Sequence, residues 1–409
     1  MILSKRFRIS AAVFAVTILA SLFNPISYAV DPICSPTSDL STVPGFTILT
    51  FSTTGTCTWN VPSGVTSLDT LLVVGGGGGG AGVFTVGNSS GGGGGGGGGA
   101  FLASSVSIPS SVTIQVGAGG AGGGFSATRN GNNGSRGSSS AFGTITAGGG
   151  GGGGCEATGL SSGVTCTTTS SFGGNGTAAG AGGGTSNYYN AYNPGGAGTA
   201  SSATFNGNVF VSQVGFLGGY YNQGGSSGGD AGAPGGGARG AANFETRGIG
   251  LTSNITGSSA EYGRGGGAFG ASGWTFTASP PGFGTGGDGQ RGSNANGATG
   301  AQGVVIVKFT TIASVATSIG AGNINYRTAK AITATPNVSG KLTFRANNKV
   351  IPGCKNLASV ANVARNCSYR ASNRGNVSLT VTIVPTIVGI STVTTQIGSY
   401  LVYPRSGSR

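Results

Sequence analysis

The sequence predicts a mainly β protein in three parts. These are a β-strand base with a packed polyglycine-II and loop glycine-rich body, then a C-terminal β-sandwich, with no helices beyond a signal peptide. Three observations predict this. Glycine is concentrated, with 76 of the 88 glycines of this 409-residue chain between Gly75 and Gly300. Short apolar and alternating runs, which are strand signals, flank that body on both sides. After the leader there is no long period of 3.6, and the chain has one Met and few Leu or Glu.

The leader comes first. Lys5, Arg6 and Arg8 form a basic region, an apolar stretch runs from Ile9 to Phe23, and Ser27-Tyr28-Ala29 is a small-x-small cleavage site. This layout predicts a signal peptide over residues 1–29 and a mature chain from Val30. An N-terminal membrane anchor is the alternative, but the apolar run is short of the roughly 20 residues a span needs. No later segment is apolar enough to cross a bilayer. Residues 30–310 form the expected glycine-rich domain with flanking strands, and residues 312–409 a basic C-terminal domain.

The strands follow in order. Gly45–Ser52 and Thr56–Pro62 read as a pair, and Leu68–Val74 as a third strand. Ala100–Ile108 and Ser111–Val116, split by Pro109-Ser110, read as a hairpin. Ala141–Thr146 alternates, and the apolar Val304–Phe309 closes the body.

The glycine runs are the central question. Gly75–Gly80, Gly91–Gly99 and Gly148–Gly154 are the longest. Ordering backbone costs about 1–2 kcal/mol per residue, and glycine loses the most freedom. Glycine has no side chain to bury against that cost. The runs are therefore either flexible linkers or a lattice packed backbone against backbone. Polyglycine in the three-residue polyproline-II helix points every N–H and C=O outward, and without Cβ neighbouring chains come close enough to hydrogen-bond. The body as a whole has no strict G-x-y period and little proline, unlike collagen. Phe101, Phe125, Phe142, Phe172, Phe210, Phe216, Phe269 and Phe283 interrupt it, which favours order and suggests a small core sewn between the glycine strands.

Charge and cysteine narrow the function. Charged residues are 7% of the chain, and its net charge is +13. Twelve Lys or Arg and no Asp or Glu follow Gly303, whereas residues 30–303 hold six Arg and all eight acids. A field this one-sided favours polyanions, with a soluble basic domain lacking any dedicated partner as the alternative. The candidates are Lys341, Arg345, Lys349, Lys355, Arg365, Arg370 and Arg374. Six cysteines in an exported chain suggest disulfides, and sequence distance pairs Cys34 with Cys57, Cys155 with Cys166 and Cys354 with Cys367. A metal is the weaker reading, because there is no C-x-x-C and no histidine.

The absence of histidine also removes the commonest general base and the Ser-His-Asp triad, so no catalytic residue and no cofactor is expected. Glu245 and Glu261 are the nearest acidic pair in the second half of the body, and nothing singles them out for glycosidase chemistry. Two Tyr- and Asn-rich loops, Ser186–Pro194 and Gly218–Gly224, have the composition of binding loops. Tyr188, Tyr189, Tyr192, Tyr220 and Tyr221 either bind glycans or protein surfaces or cover the glycine body from water.

A resemblance adds to this. Thr50–Gly82, Gly91–Pro109, Thr113–Gly123, Ser139–Gly154 and the closing Gly297–Phe309 together resemble the bacterial glycine-rich domain family. The resemblance implies a strand base that opens into packed glycines. Related modules are similar to the tips of phage tail-fibre adhesins, where polyglycine-II helices bundle and loops recognise a surface. The C-terminal stretches Gly340-KLTFRANNKVIPGC and Cys367-SYRASNRGNVSLTVTIVPT are similar to bacterial immunoglobulin-like domains, which implies a sandwich of about seven strands. The whole reads as a secreted, non-enzymatic surface protein. A glycine-rich scaffold would display loops, and the basic domain would hold an anionic cell-envelope polymer or polysaccharide. No hydrophobic tail or sorting motif follows Tyr400. The alternative is an adhesin for glycans or other surface proteins, and the oligomeric state stays open.

Overall fold

The computed structural model describes residues 36–39, 42–62, 64–82, 92–124, 132–154, 183, 202–206, 208–211, 216–218, 234–242, 246–267, 282–290, 296–321, 323–387 and 390–404. The expected signal peptide lies outside them. Among the described residues the protein is mainly β and contains no helix, so none is long and apolar enough to cross a membrane.

Thirteen strands belong to the first 310 residues: β1 (Thr37–Asp39), β2 (Phe46–Phe51), β3 (Gly55–Asn60), β4 (Ser67–Val74), β5 (Ala100–Ser107), β6 (Ser111–Val116), β7 (Ser140–Phe142), β8 (Ile145–Ala147), β9 (Ser202–Phe205), β10 (Asn208–Val211), β11 (Leu251–Ser253), β12 (Ala260–Tyr262) and β13 (Val304–Thr310). A five-stranded antiparallel sheet runs in the order β1-β2-β13-β4-β5, and a four-stranded one in the order β3-β6-β7-β8. Phe51, Leu71, Val73, Val305 and Val307 of the first sheet share a core with Trp59, Ile114, Phe142 and Ile145 of the second. Trp59 meets Phe51 edge-on at 5.9 Å between ring centroids. Leu72, Val74, Val304 and Ile306 face the other way, into a second core that Leu251 and Tyr262 help to cover. Both faces of β4 and β13 are buried, which is why these strands read as continuous apolar runs rather than alternating ones.

Two sequence expectations change here. The strands Phe46–Phe51 and Gly55–Asn60 do not pair, and Ala100–Ser107 and Ser111–Val116 are not a hairpin. The chain crosses from one sheet to the other at each connection. Leu49 and Phe51 then meet Cys57 and Trp59 across the shared core instead of along a shared edge.

Six strand ends of this base run directly into or out of glycine-rich segments. β4 continues into residues 75–82, β6 into 117–124 and β8 into 148–154. Residues 92–99 enter β5, residues 132–138 lead to β7, and residues 297–303 enter β13. Together with residues 284–290, these segments hydrogen-bond as a hexagonal lattice around 75–82. The amides of Gly75, Gly78 and Ala81 donate to the carbonyls of Gly99, Gly96 and Gly93. Those of Gly76, Gly79 and Gly82 donate to Ser138, Ser135 and Asn132, and those of Gly77 and Gly80 to Ala301 and Ala298. Each donor series steps by three residues, the repeat of a polyproline-II helix, toward three antiparallel neighbours. The carbonyls return the pattern to three parallel neighbours. Gly76 and Gly79 accept from Gly150 and Gly153, Gly77 and Gly80 from Gly120 and Gly123, and Gly78 and Ala81 from Gly287 and Gln290.

The six neighbours also bond to one another and close the ring. Gly96 donates to Gly151, Gly137 to Gly150, Ser135 to Ala121, Gly300 to Gly120, Ala301 to Thr285, and Gly95 to Gly287. Residues 75–82, 92–99 and 148–154 are buried throughout. Among the described residues, backbone hydrogen bonds rather than aromatic side chains hold the runs together. Phe101 and Phe142 sit fully buried in the strand base, and Phe283 packs against its second core. Phe125, Phe172 and Phe269 lie outside the described residues.

Absence of Cβ is a steric condition of this packing. A methyl built on Gly78 would lie 2.0 Å from the carbonyl oxygen of Gly151, and one on Gly79 2.0 Å from that of Ala121. Outer chains need glycine where they face inward and where they meet one another, as at Gly119 and Gly122, whose methyls would lie 1.9 and 1.8 Å from the carbonyl oxygens of Gly300 and Gly297. Gly117, Gly120 and Gly123 recur at every third place, as do Gly134 and Gly137, and Gly297, Gly300 and Gly303. Between them Ala118, Ala121, Ser135, Arg136 and Thr299 are exposed. A local G-x-y period therefore exists on the lattice surface although the body as a whole lacks one.

The remaining strands are β14 (Val315–Ile319), β15 (Ile324–Asn325), β16 (Ala329–Pro336), β17 (Gly340–Ala346), β18 (Lys349–Val350), β19 (Leu357–Ser359), β20 (Arg365–Arg370), β21 (Gly375–Pro385) and β22 (Val393–Tyr403). They form a three-stranded sheet, β14-β16-β20, and a six-stranded sheet, β15-β22-β21-β17-β18 with β19 beside β17. Ile332 of the first and Leu342, Phe344, Leu379, Val381 and Ile383 of the second share one core. Cys354 and Cys367 are bonded and both buried, tying β20 to the segment after β18.

Candidate functional site

The basic C-terminal residues converge at one place. The β17–β18 hairpin turns through Asn347 and Asn348, with φ of 46° and 65°. Asparagine tolerates this left-handed region better than most residues. Asn347 is pinned to β21: its N–H donates to the Ser378 carbonyl at 2.8 Å, and its Oδ1 accepts from the Ser378 N–H at 2.8 Å. Opposite the hairpin lie the end of β20 and the turn from Ala371 to Arg374. Between them is a cleft of about 710 Å³, lined by Lys349, Arg370, Arg374, Tyr369, Asn347, Asn373 and Asn376 among others. Nearby, the guanidinium groups of Arg327 and Arg374 lie 5.1 and 5.5 Å from the centre of the Tyr326 ring. Burial raises the pKa of the Tyr369 phenol. No Asp or Glu follows Asp288 in the chain, so no carboxylate side chain of this domain balances these cations.

Three of the seven predicted cations, Lys349, Arg370 and Arg374, therefore share the cleft. The other four do not line it. Lys341 and Lys355 are exposed elsewhere. Arg345 donates to Thr382 Oγ1 at 2.9 Å, and Arg365 Nε to the Ala358 carbonyl at 2.8 Å. Sequence reasoning missed Asn347, Asn373, Asn376 and Arg327. The Asn-Asn pair between two strand runs is a turn signal, but only the fold sets it beside β20.

The acids of the body have structural work. Glu261 Oε1 accepts from the Gly250 N–H at 2.7 Å, and Asp288 Oδ1 from the Gly267 N–H at 2.6 Å. Each supplies an acceptor at the lattice edge. Glu261 also lies 3.6 Å from Arg264, and Asp288 3.8 Å from the buried Arg247. Burial lowers the Arg247 pKa, and Asp288 opposes that shift. Glu245 lies outside the described residues, so no acidic pair is described. Among the described residues no group of three or more Cys, Asp or Glu is placed to hold a metal ion.

Tyr188, Tyr189, Tyr192, Tyr220 and Tyr221 lie outside the described residues, as do Cys34, Cys155 and Cys166. Cys57 is buried and disulfide-bonded. At the end of the lattice away from the sheets, the Gly82 N–H donates to the Asn132 carbonyl, the Gly92 N–H to the Gln290 carbonyl and the Asn132 N–H to the Gly124 carbonyl.

A strand base that opens into a hydrogen-bonded glycine lattice, followed by a basic two-sheet unit, defines the class: a glycine-rich β protein. The chain belongs to the glycine-rich domain family, whose model matches residues 52–310. Among curated proteins, none matches it.

Proposed function

We propose that the protein is a secreted, non-enzymatic structural protein of the cell surface or extracellular matrix. The glycine lattice is a stiff scaffold that displays the loops at its end. The C-terminal unit, an immunoglobulin-like module on this reading, holds the protein on an anionic envelope polymer or polysaccharide. The observation that carries the reading is the closed ring of glycine runs. It commits the body's backbone amides to mutual hydrogen bonds and buries residues 75–82, 92–99 and 148–154 completely. Such a body offers rigidity and few reactive groups. The gathering of Lys349, Arg370 and Arg374 on a unit without acids supports the attachment role.

The test is fractionation of the producing cells. The protein is expected at the surface, reachable by added protease, and released by molar salt, because salt screens exposed charges. Retention in the cell interior overturns the reading, and retention on the surface in molar salt overturns the electrostatic attachment. The second reading is an adhesin acting through Tyr188, Tyr189, Tyr192, Tyr220 and Tyr221. The Tyr- and Asn-rich composition of Ser186–Pro194 and Gly218–Gly224 favours it. It predicts glycan-array binding that is lost when these tyrosines are changed to alanine.

A further inference from the structure

We infer that the cleft between the β17–β18 hairpin and the Ala371–Arg374 turn is a formed binding site for an acidic sugar residue of a polysaccharide, held by Lys349, Arg370 and Arg374. The inference rests on the polyanion reading above and narrows it: the domain's remaining charge gives only long-range attraction.

Size, chemistry and order point the same way. A volume of about 710 Å³ falls within the range of roughly 300–1,000 Å³ typical of small-molecule pockets. Guanidinium forks match a carboxylate or sulfate with two parallel N–H donors. The carboxamides of Asn347, Asn373 and Asn376 line the same cleft, and each offers both donors and an acceptor to ring hydroxyls. Single-stranded nucleic acid wants free aromatic faces for its bases. Here Tyr369 is only 8% exposed, and Tyr326 carries two guanidinium groups. The walls are ordered in advance, since Asn347 is bonded to Ser378 and Arg374 rests near Tyr326. Groups already held in place lose less entropy on binding.

The experiment titrates the full mature chain with oligogalacturonate at low salt. It compares Arg370→Gln with Arg374→Gln in one protein against Lys341→Gln with Lys355→Gln in another. Both remove two charges, but only the first pair lines the cleft. The first is expected to lose about tenfold or more in affinity, the scale of one charge-assisted hydrogen bond, and the second much less. Arg374→Lys keeps the charge without the fork and is expected to fall between. In the unmodified protein, saturating oligogalacturonate should protect Lys349 from amine acylation and leave Lys355 reactive. Equal losses in the two double variants, or equal acylation of the two lysines, overturn the formed site and leave diffuse attraction standing. Preferential binding of single-stranded DNA overturns the ligand class. No binding of oligogalacturonate, dextran sulfate or DNA at low salt defeats the site and the polyanion reading together.

Discussion

An alanine at position 78 would place its methyl 2.0 Å from a main-chain oxygen, and main chain cannot rotate away as a side chain can. Overpacking of this kind costs about 1–3 kcal/mol, occasionally more. Gly78→Ala is therefore expected to lower the urea midpoint clearly. Gly124→Ala is the matched control, because its methyl would meet only the Asn132 Nδ2 at 3.5 Å and its backbone needs no positive φ. It is expected to be neutral or slightly stabilising, through a less flexible unfolded chain. Glycine content was plain in the sequence, but these two glycines look alike there. Only the positions of neighbouring chains separate them. The same holds for Glu261, which nothing in the sequence singles out until the amide of Gly250 is seen to need an acceptor.

Strands and runs behave differently as elements. Most strands of the base were legible because apolar residues mark them, and their observed ends fall close to those expected; the alternating Ala141–Thr146 is instead two short antiparallel strands, β7 and β8, that turn at Gly143 with φ of 60°. Their partners were not legible. Neighbours in sequence suggested local pairs, whereas burial set β2 and β5 in one sheet and β3 and β6 in the other. Phe142 is fully buried and touches Trp59 and Phe205. Phe142→Ala is expected to cost about 3–5 kcal/mol, read as a fall in the unfolding midpoint. In the C-terminal unit the Cys354–Cys367 bond closes a loop with a sequence separation of 13. Replacing both cysteines by alanine is expected to remove about 3 kcal/mol. The loss should appear in the transition of that unit alone.

At the scale of the whole molecule, order comes from direction. Chains leave the base alternately up and down. The central run thus has three antiparallel acceptors and three parallel donors, and its amides and carbonyls find partners without any side chain. Lattice packing stood in the sequence as one of two outcomes. Which runs are neighbours could not be read there, since identical glycines carry no register; the strands at their ends supply it. Charge at this scale was legible as the basic tail, but the gathering of three cations in one cleft was not. The chain has no histidine, the side chain that ordinarily titrates near neutrality. Binding of polyanions is therefore expected to be nearly flat from about pH 6 to 8 and to fall steeply with salt.

Hydrogen exchange at the glycine amides tests the lattice most directly. Gly78, Gly95 and Gly150 donate to main-chain carbonyls at 2.8–2.9 Å inside a buried array. Their amides are expected to exchange as slowly as those of Leu72 and Ile306 in the central strands of the base, and in one cooperative unit with them. Exchange at the rate of an unstructured chain in all three runs, while the strands stay protected, would contradict the account.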